Sequence, residues 1–150
     1  VVGLCYEGVP WFTGAAVMAG AAGVRWEVVV IAGLYAAGAH GIMTLNDFKA
    51  IEGDTEKGVN SLPVTLGPER AARLACWIMA VPQVAVIGLL LLWGAPVHAA
   101  IVIGLLALQA LAMRKMLRDP KAFAPWYNGT GVLLYVLGML TTAFALGGMA

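Results

Sequence analysis

The sequence predicts an all-α integral membrane protein, a helical bundle with about five transmembrane helices. Hydrophobic residues make up 61% of the 150 residues and charged residues only 11%, whereas ordinary globular chains contain roughly 45–50% and about 25%. The apolar residues also fall into long runs, several of which reach the ~20 residues that a helix needs to cross a bilayer. Helices are expected because every backbone polar group in lipid must be hydrogen-bonded within its own segment.

Five apolar runs are predicted to cross the membrane. The first is interrupted by Pro10, and a short polar turn at residues 25–27 separates it from the second. Pro82 lies inside the third run and is expected to bend it, because proline removes one backbone donor. The predicted spans are 1–23, 28–45, 71–93, 96–113 and 131–150, and the aspartate-rich segment 46–70 is predicted to be a loop.

The basic residues predict the orientation of the bundle. Eight of the nine lie in or next to two polar segments, 46–70 and 114–130, and Arg25 is the exception. Two spans separate these segments, so both lie on the same side of the membrane. The positive-inside rule then places both in the cytoplasm. A net charge of +1 without a basic tract gives no indication of a nucleic-acid partner.

Residues 46–66, the main part of this segment, contain four of the chain's eight acidic residues. Carboxylates at the mouth of a membrane bundle are stable only when they are paired, hydrated or bound to a cation. On a continuous helix Asp47 and Asp54 would be displaced by ~10.5 Å along the axis, too far for one Mg²⁺ whose oxygen ligands lie at about 2.1 Å. We therefore expect Gly53 to end or bend the helix and to fold Asp54 back toward Asp47. Otherwise the two carboxylates would hold separate ions or opposite ends of a diphosphate.

Asp47 and Asp54 are the predicted metal-binding and catalytic residues of this segment. Mg²⁺ usually takes one or two carboxylates and completes its octahedron with water and phosphate oxygens, and basic side chains nearby would meet the charge of a diphosphate directly. The alternative is a solvated loop whose mixed charges only keep it hydrated. The candidate diphosphate-binding residues are Lys49, Lys57 and Asn46, with Glu52 as a candidate outer ligand or positioning group.

The string NDFKAIEGDTEKGVNSLPVTLG, which begins at Asn46, resembles the second aspartate-rich motif of the UbiA superfamily of membrane prenyltransferases. Within that superfamily the chain most resembles the bacteriochlorophyll and chlorophyll synthase branch. The residues that match are 46–49, 52–54, 58 and 61–64, and the stretches 6–12 and 125–131 show the same resemblance.

Two departures from the family pattern affect the interpretation. Ala50 stands where many members carry a further Asp, which fits the chlorophyll synthase branch and disfavours a quinone precursor as acceptor. The first aspartate-rich motif is absent and is expected N-terminal to Val1. The resemblance implies a nine-helix fold of which these five spans are the C-terminal part. The missing N-terminal half is therefore an expected partner, and we expect no activity from this part alone.

The resemblance implies transfer of a prenyl chain from geranylgeranyl or phytyl diphosphate to the propionate carboxylate of a bacteriochlorophyllide, with Mg²⁺ as cofactor and release of diphosphate. An apolar interior would hold the prenyl tail and keep water from the reacting carbon. The implied location is the cell inner membrane, in its photosynthetic intracytoplasmic part. Two alternatives remain open: a UbiA-family prenyltransferase with a quinone-precursor or haem acceptor, and a non-catalytic helical membrane subunit whose acidic loop is a docking surface.

Glu52 and four further residues are weaker candidates for substrate binding. His40 lies seven residues before Asp47 on the same helical face, and its imidazole could ligate the central magnesium of a chlorin or simply pack within the bundle. Glu7 is an acid in an apolar segment, which indicates either function or a structural pair. Tyr127 and Asn128 are expected at the cytoplasmic start of the last span, where they would anchor the helix at the interface or recognise the acceptor.

Overall fold

The chain folds into helices and tight turns. The computed structural model describes Cys5, residues 8–20 and residues 23–148, and no β-strand occurs among them. The helices are α1 (Val9–Ala19), α2 (Trp26–Asn46), α3 (Ile51–Lys57), α4 (Leu62–Leu66), α5 (Pro68–Leu92), α6 (Pro96–Met116) and α7 (Pro120–Gly147), with a 3₁₀ turn at Asp47–Lys49 between α2 and α3.

Four helices are long and apolar enough to cross a membrane. They are α2 with its following 3₁₀ turn, α5, α6 and α7, and their most apolar stretches have mean hydropathies from 1.7 to 2.2. The predicted all-α membrane bundle is therefore confirmed, and the chain is a multi-pass membrane protein. Helix α1 has 11 residues. The predicted first span also covers residues outside the described ones, so its extent stays a prediction.

Helices α5 and α7 each pack against the other three long helices, and α2 and α5 are in close contact. The contact is close because Gly41 has no side chain: a Cβ there would lie 2.5 Å from the carbonyl oxygen of Ala75. Small residues let helix backbones approach in this way in membranes. Between α5 and α6, the Gln83 side chain donates a hydrogen bond of 2.7 Å to the Gln109 side chain, and both residues are fully buried.

The last helix begins earlier than the sequence predicts. Helix α7 starts at Pro120, whereas the predicted span starts at residue 131. The Asp119 side chain accepts a hydrogen bond of 3.2 Å from the backbone N–H of Ala122, and proline suits the first helical position because its missing donor is not needed there. Tyr127 and Asn128 consequently lie inside α7 and not at its start.

The predicted loop 46–70 is also largely helical. It consists of the 3₁₀ turn, the short helices α3 and α4, and the first turn of α5. Gly58 ends α3 with φ at 67°, and Gly67 precedes α5 with φ at 79°. Residues that carry a side chain rarely adopt such positive φ values, so these two glycines allow the chain to turn between short helices. The acidic residues are thus held on ordered backbone.

Candidate functional site

The chain changes direction at the turn that contains Asp47. Helix α2 ends at Asn46, and the backbone N–H of Ala50 bonds to the Asp47 carbonyl at 3.0 Å. Ala50 then leaves the helical region, with φ at −108° and ψ at 1°. The expectation that Gly53 ends or bends the helix is wrong, because Gly53 lies inside α3. The break comes three residues earlier, where the backbone tightens into the 3₁₀ turn.

Asp47 and Asp54 interact electrostatically across this break. Both residues are half-buried. Desolvation by burial is the larger cost to a charged Asp47 carboxylate, and the charge of Asp54 adds to that cost. Within the described ranges neither carboxylate forms an ion pair with a lysine or arginine. The fold therefore brings together two like charges without a basic side chain that compensates them.

The residues around Asp47 offer few metal ligands, which suits magnesium better than a metal ion whose ligands all come from the protein. Among residues 8–20 and 23–148 no group of three or more His, Cys, Asp and Glu side chains is placed to hold an ion. Mg²⁺ is commonly bound through only one or two carboxylates plus waters and substrate phosphates. Two interacting carboxylates at the end of an apolar helix meet that requirement.

Helix α7 contributes directly to this region through Asn128. Its Nδ2 donates a hydrogen bond of 2.9 Å to Oδ1 of Asn46, the last residue of α2. The Oδ1 atom of Asn128 is buried and has no protein partner in the described part of the chain. The two polar segments that charge counting placed on one side of the membrane are thus in contact.

A cavity of about 210 Å³ lies beside the turn, between α3 and the start of α7. Lys49 and Glu52 line it, whereas Asp47, Asp54 and Lys57 do not. Lys121 also lines the cavity, and it was not among the residues singled out from the sequence. The only sequence feature of Lys121 was its place in the basic segment 114–130. That place predicts the side of the membrane on which Lys121 lies, but not which residues or ligands it contacts. Further lining residues are Phe48 and Ile51.

The weaker candidates lie in different surroundings. His40 is exposed on α2, and its Nδ1 is 3.2 Å from the Ala36 carbonyl oxygen. Since a carbonyl only accepts, Nδ1 donates, which leaves the Nε2 lone pair available. Tyr127 is fully buried and packs against Gly131. Glu7 lies outside the described residues.

The start of α7 is tied to the end of α6 by a cation–π contact. The Lys115 ammonium lies 3.9 Å from the centroid of the Trp126 ring and 5.3 Å from that of Phe123. Such contacts contribute about 0.5–1 kcal/mol at exposed sites. This contact holds α7 next to α6 two residues before Asn128, which bonds to α2.

Comparisons with known proteins point to one family. Residues 1–130 match the model of the UbiA prenyltransferase family. The chain is 62% identical over 149 residues to the bacteriochlorophyll synthase 33 kDa chain of Cereibacter sphaeroides, and the match covers 99% of this chain and 49% of that protein. It is 55% identical over 150 residues to the protein of the same name from Rhodobacter capsulatus, and the match covers 99% of this chain and 49% of that protein.

A more distant relative is the chloroplastic chlorophyll synthase of Arabidopsis thaliana. It is 34% identical over 145 residues, and the match covers 96% of this chain and 37% of that protein. The chain thus spans about half the length, or less, of these relatives. No solved structure matches the chain.

Proposed function

The chain belongs to the UbiA prenyltransferase family, and from this premise we propose that it is the C-terminal part of a bacteriochlorophyll synthase-like enzyme. The reaction would esterify the propionate of a bacteriochlorophyllide with a geranylgeranyl or phytyl group from the corresponding diphosphate. Relatives named bacteriochlorophyll synthase, at 62% and 55% identity over nearly the whole chain, support this proposal. Below, the full-length protein means this chain together with the N-terminal half that the length of these relatives implies.

The observation that carries the proposal is the uncompensated pair Asp47 and Asp54 at the end of an apolar span. These two carboxylates would hold Mg²⁺, which when bound neutralises the diphosphate and makes it a better leaving group. Lys49 lines the adjacent polar cavity and would contact the diphosphate, as would Asn46 at the end of α2. Lys57 and Glu52 would take a secondary part in the same region.

The proposed chemistry requires a polar end and a dry interior. The allylic C–O bond of the donor breaks as the diphosphate leaves, and a propionate oxygen of the acceptor forms the new C–O bond to that carbon. The polar segment around Asp47 would bind the departing diphosphate. The apolar faces of the spans would hold the prenyl tail and keep water away from the cationic carbon.

The location follows from the same family premise. We place the protein in the photosynthetic intracytoplasmic region of the cell inner membrane, with the segment 46–70 in the cytoplasm. The positive-inside rule supports this orientation, because the contact between Asn46 and Asn128 joins the two basic segments on one side. A diphosphate donor that arrives from the cytoplasm would then reach the site directly.

The test is the double variant Asp47→Asn with Asp54→Asn in the full-length protein. It is assayed with Mg²⁺, geranylgeranyl diphosphate and bacteriochlorophyllide, and turnover should fall by roughly two orders of magnitude or more, as expected when several kcal/mol of charge stabilisation are lost. Glu56→Gln is the matched control, because Glu56 is exposed on the same helix α3. Retained turnover in the double variant would count against the assignment and favour a non-catalytic membrane subunit.

The acceptor is tested separately on the unmodified full-length protein. Bacteriochlorophyllide should be esterified, while 4-hydroxybenzoate and a haem acceptor should not be prenylated. Prenylation of either of these two with no turnover of the chlorin would assign the chain to another branch of the family.

A further inference from the structure

The hydrogen bond between Asn46 and Asn128 joins residues 82 positions apart in the chain. Asn46 is the last residue of α2 and is exposed. Asn128 is half-buried inside α7. The bond therefore connects a well-packed helix to the end of another helix, directly before Asp47.

Asp47 is consequently held from both sides. The following residue, Phe48, is only 7% exposed and belongs to the hydrophobic core. The preceding residue, Asn46, is held by the amide of Asn128. Packing of Phe48 in the core and the hydrogen bond of Asn46 to α7 together restrict how far the Asp47 backbone can move relative to the bundle.

The unused oxygen of Asn128 supports a role at the site. Buried polar side-chain atoms nearly always have a hydrogen-bond partner, and an exception needs an explanation. Asn128 Oδ1 is such an exception in the described part of the chain. It lies on the residue that reaches the acidic turn, where a magnesium-bound water would be a suitable donor, because Mg²⁺ keeps several of its waters.

We propose that Asn128 is a positioning residue that acts through Asn46 to hold the Asp47 turn in the geometry that binds the divalent cation. This inference rests on the proposed function, since it presumes that Asp47 is a metal ligand. This role can be distinguished from direct recognition of the acceptor by Asn128. A positioning residue affects metal binding even when no acceptor is present.

The experiment measures Mn²⁺ binding to the full-length protein in detergent by electron paramagnetic resonance, without substrates, for the variants Asn128→Ala, Asn46→Ala and the pair together. Each single variant should weaken binding roughly three- to tenfold, the size expected for loss of one hydrogen bond. The double variant should bind Mn²⁺ with the same affinity as the single variant that binds it less tightly, because both changes remove the same hydrogen bond.

Thr130→Val is the control on the same helix. Within residues 8–20 and 23–148 the Thr130 hydroxyl bonds only to the Trp126 carbonyl of its own helix, so Mn²⁺ binding should be unchanged. Thermal unfolding of each variant is measured in parallel. If Asn128→Ala does not fold, Asn128→Ser is used, because serine is too short to reach Asn46 and occupies little space.

Unchanged Mn²⁺ affinity in Asn128→Ala overturns the inference, and so does a fully additive loss in the double variant. A rise in the acceptor KM with normal Mn²⁺ binding would also overturn it and assign Asn128 to acceptor recognition. The proposed function fails by a different result, namely the absence of prenyl transfer to bacteriochlorophyllide by the unmodified full-length protein.

Discussion

The Tyr35 hydroxyl and the Thr142 hydroxyl, 107 residues apart, share a hydrogen bond of 2.7 Å between α2 and α7. Both residues are almost fully buried. Thr142 donates to the Gly138 carbonyl at 2.9 Å, so Tyr35 is the donor to Thr142. The neighbouring Tyr135 hydroxyl donates to the Tyr35 carbonyl at 2.9 Å. Two interhelical hydrogen bonds therefore hold α7 against α2 within the membrane-spanning part.

The first prediction concerns the stability that this link contributes. Replacing Tyr35 by Phe should lower the free energy of unfolding by about 0.6 kcal/mol and at most by ~1.7 kcal/mol, the range measured for interhelical hydrogen bonds in a membrane protein. The measurement is unfolding of the full-length protein by SDS in mixed micelles. Thr141→Val is the control, because in the described part of the chain the Thr141 hydroxyl bonds only to the Leu137 carbonyl of its own helix. An equal loss in the control would contradict the interhelical role.

The second prediction compares two glycines of α2. A Cβ at Gly41 would meet the Ala75 carbonyl oxygen at 2.5 Å and Met79 Cγ at 2.6 Å, whereas a Cβ at Gly33 would meet nothing within 4 Å. Gly41→Ala should therefore destabilise the bundle by about 1–3 kcal/mol, as overpacking does. Gly33→Ala should be neutral or stabilising, because alanine favours helix by up to ~1 kcal/mol. The same SDS unfolding measures both, and equal effects would mean that α2 and α5 are not in close contact at Gly41.

The helices of this chain were predictable because hydropathy over about twenty residues reports burial in lipid. The predicted span 28–45 corresponds to α2 and the span 96–113 to α6, with small differences at the ends. The start of α7 was missed because the residues before Gly131 are less apolar. The cap at Asp119 and the proline after it are local signals that extend the helix beyond its apolar part.

The acidic segment was only partly predictable. Composition and motif located Asp47 and Asp54, but the break that brings them into interaction lies at Ala50 and not at Gly53. Glycine frees the backbone without forcing a turn, so its presence did not decide where the helix ends. The bond between Asn46 and Asn128 could not be derived, because no local pattern relates two polar residues 82 positions apart.

The third prediction separates the lysines of the candidate site. Lys49 and Lys121 line the polar cavity beside the Asp47 turn, and Lys57 does not. Lys49→Gln and Lys121→Gln in the full-length protein should each raise the KM for prenyl diphosphate roughly three- to tenfold, which is the effect of one exposed charge-assisted contact. Lys57→Gln should change it less than twofold. The KM for bacteriochlorophyllide serves as internal control, and a Lys57 effect as large as that of Lys49 would mean that the diphosphate binds elsewhere.

The fourth prediction concerns His40. Its Nδ1 donates to the Ala36 carbonyl, so the exposed ring presents the Nε2 lone pair, and neutral imidazole is a common metal ligand. If Nε2 ligates the central magnesium of the chlorin, His40→Ala should raise the acceptor KM roughly tenfold, which corresponds to about 1.4 kcal/mol. The KM for the prenyl diphosphate should not change. The decisive comparison uses the same chlorin without its magnesium, because the variant and the unmodified protein should then have equal KM values. An effect of the same size on the metal-free chlorin would show that His40 contributes through packing or a hydrogen bond instead of ligation.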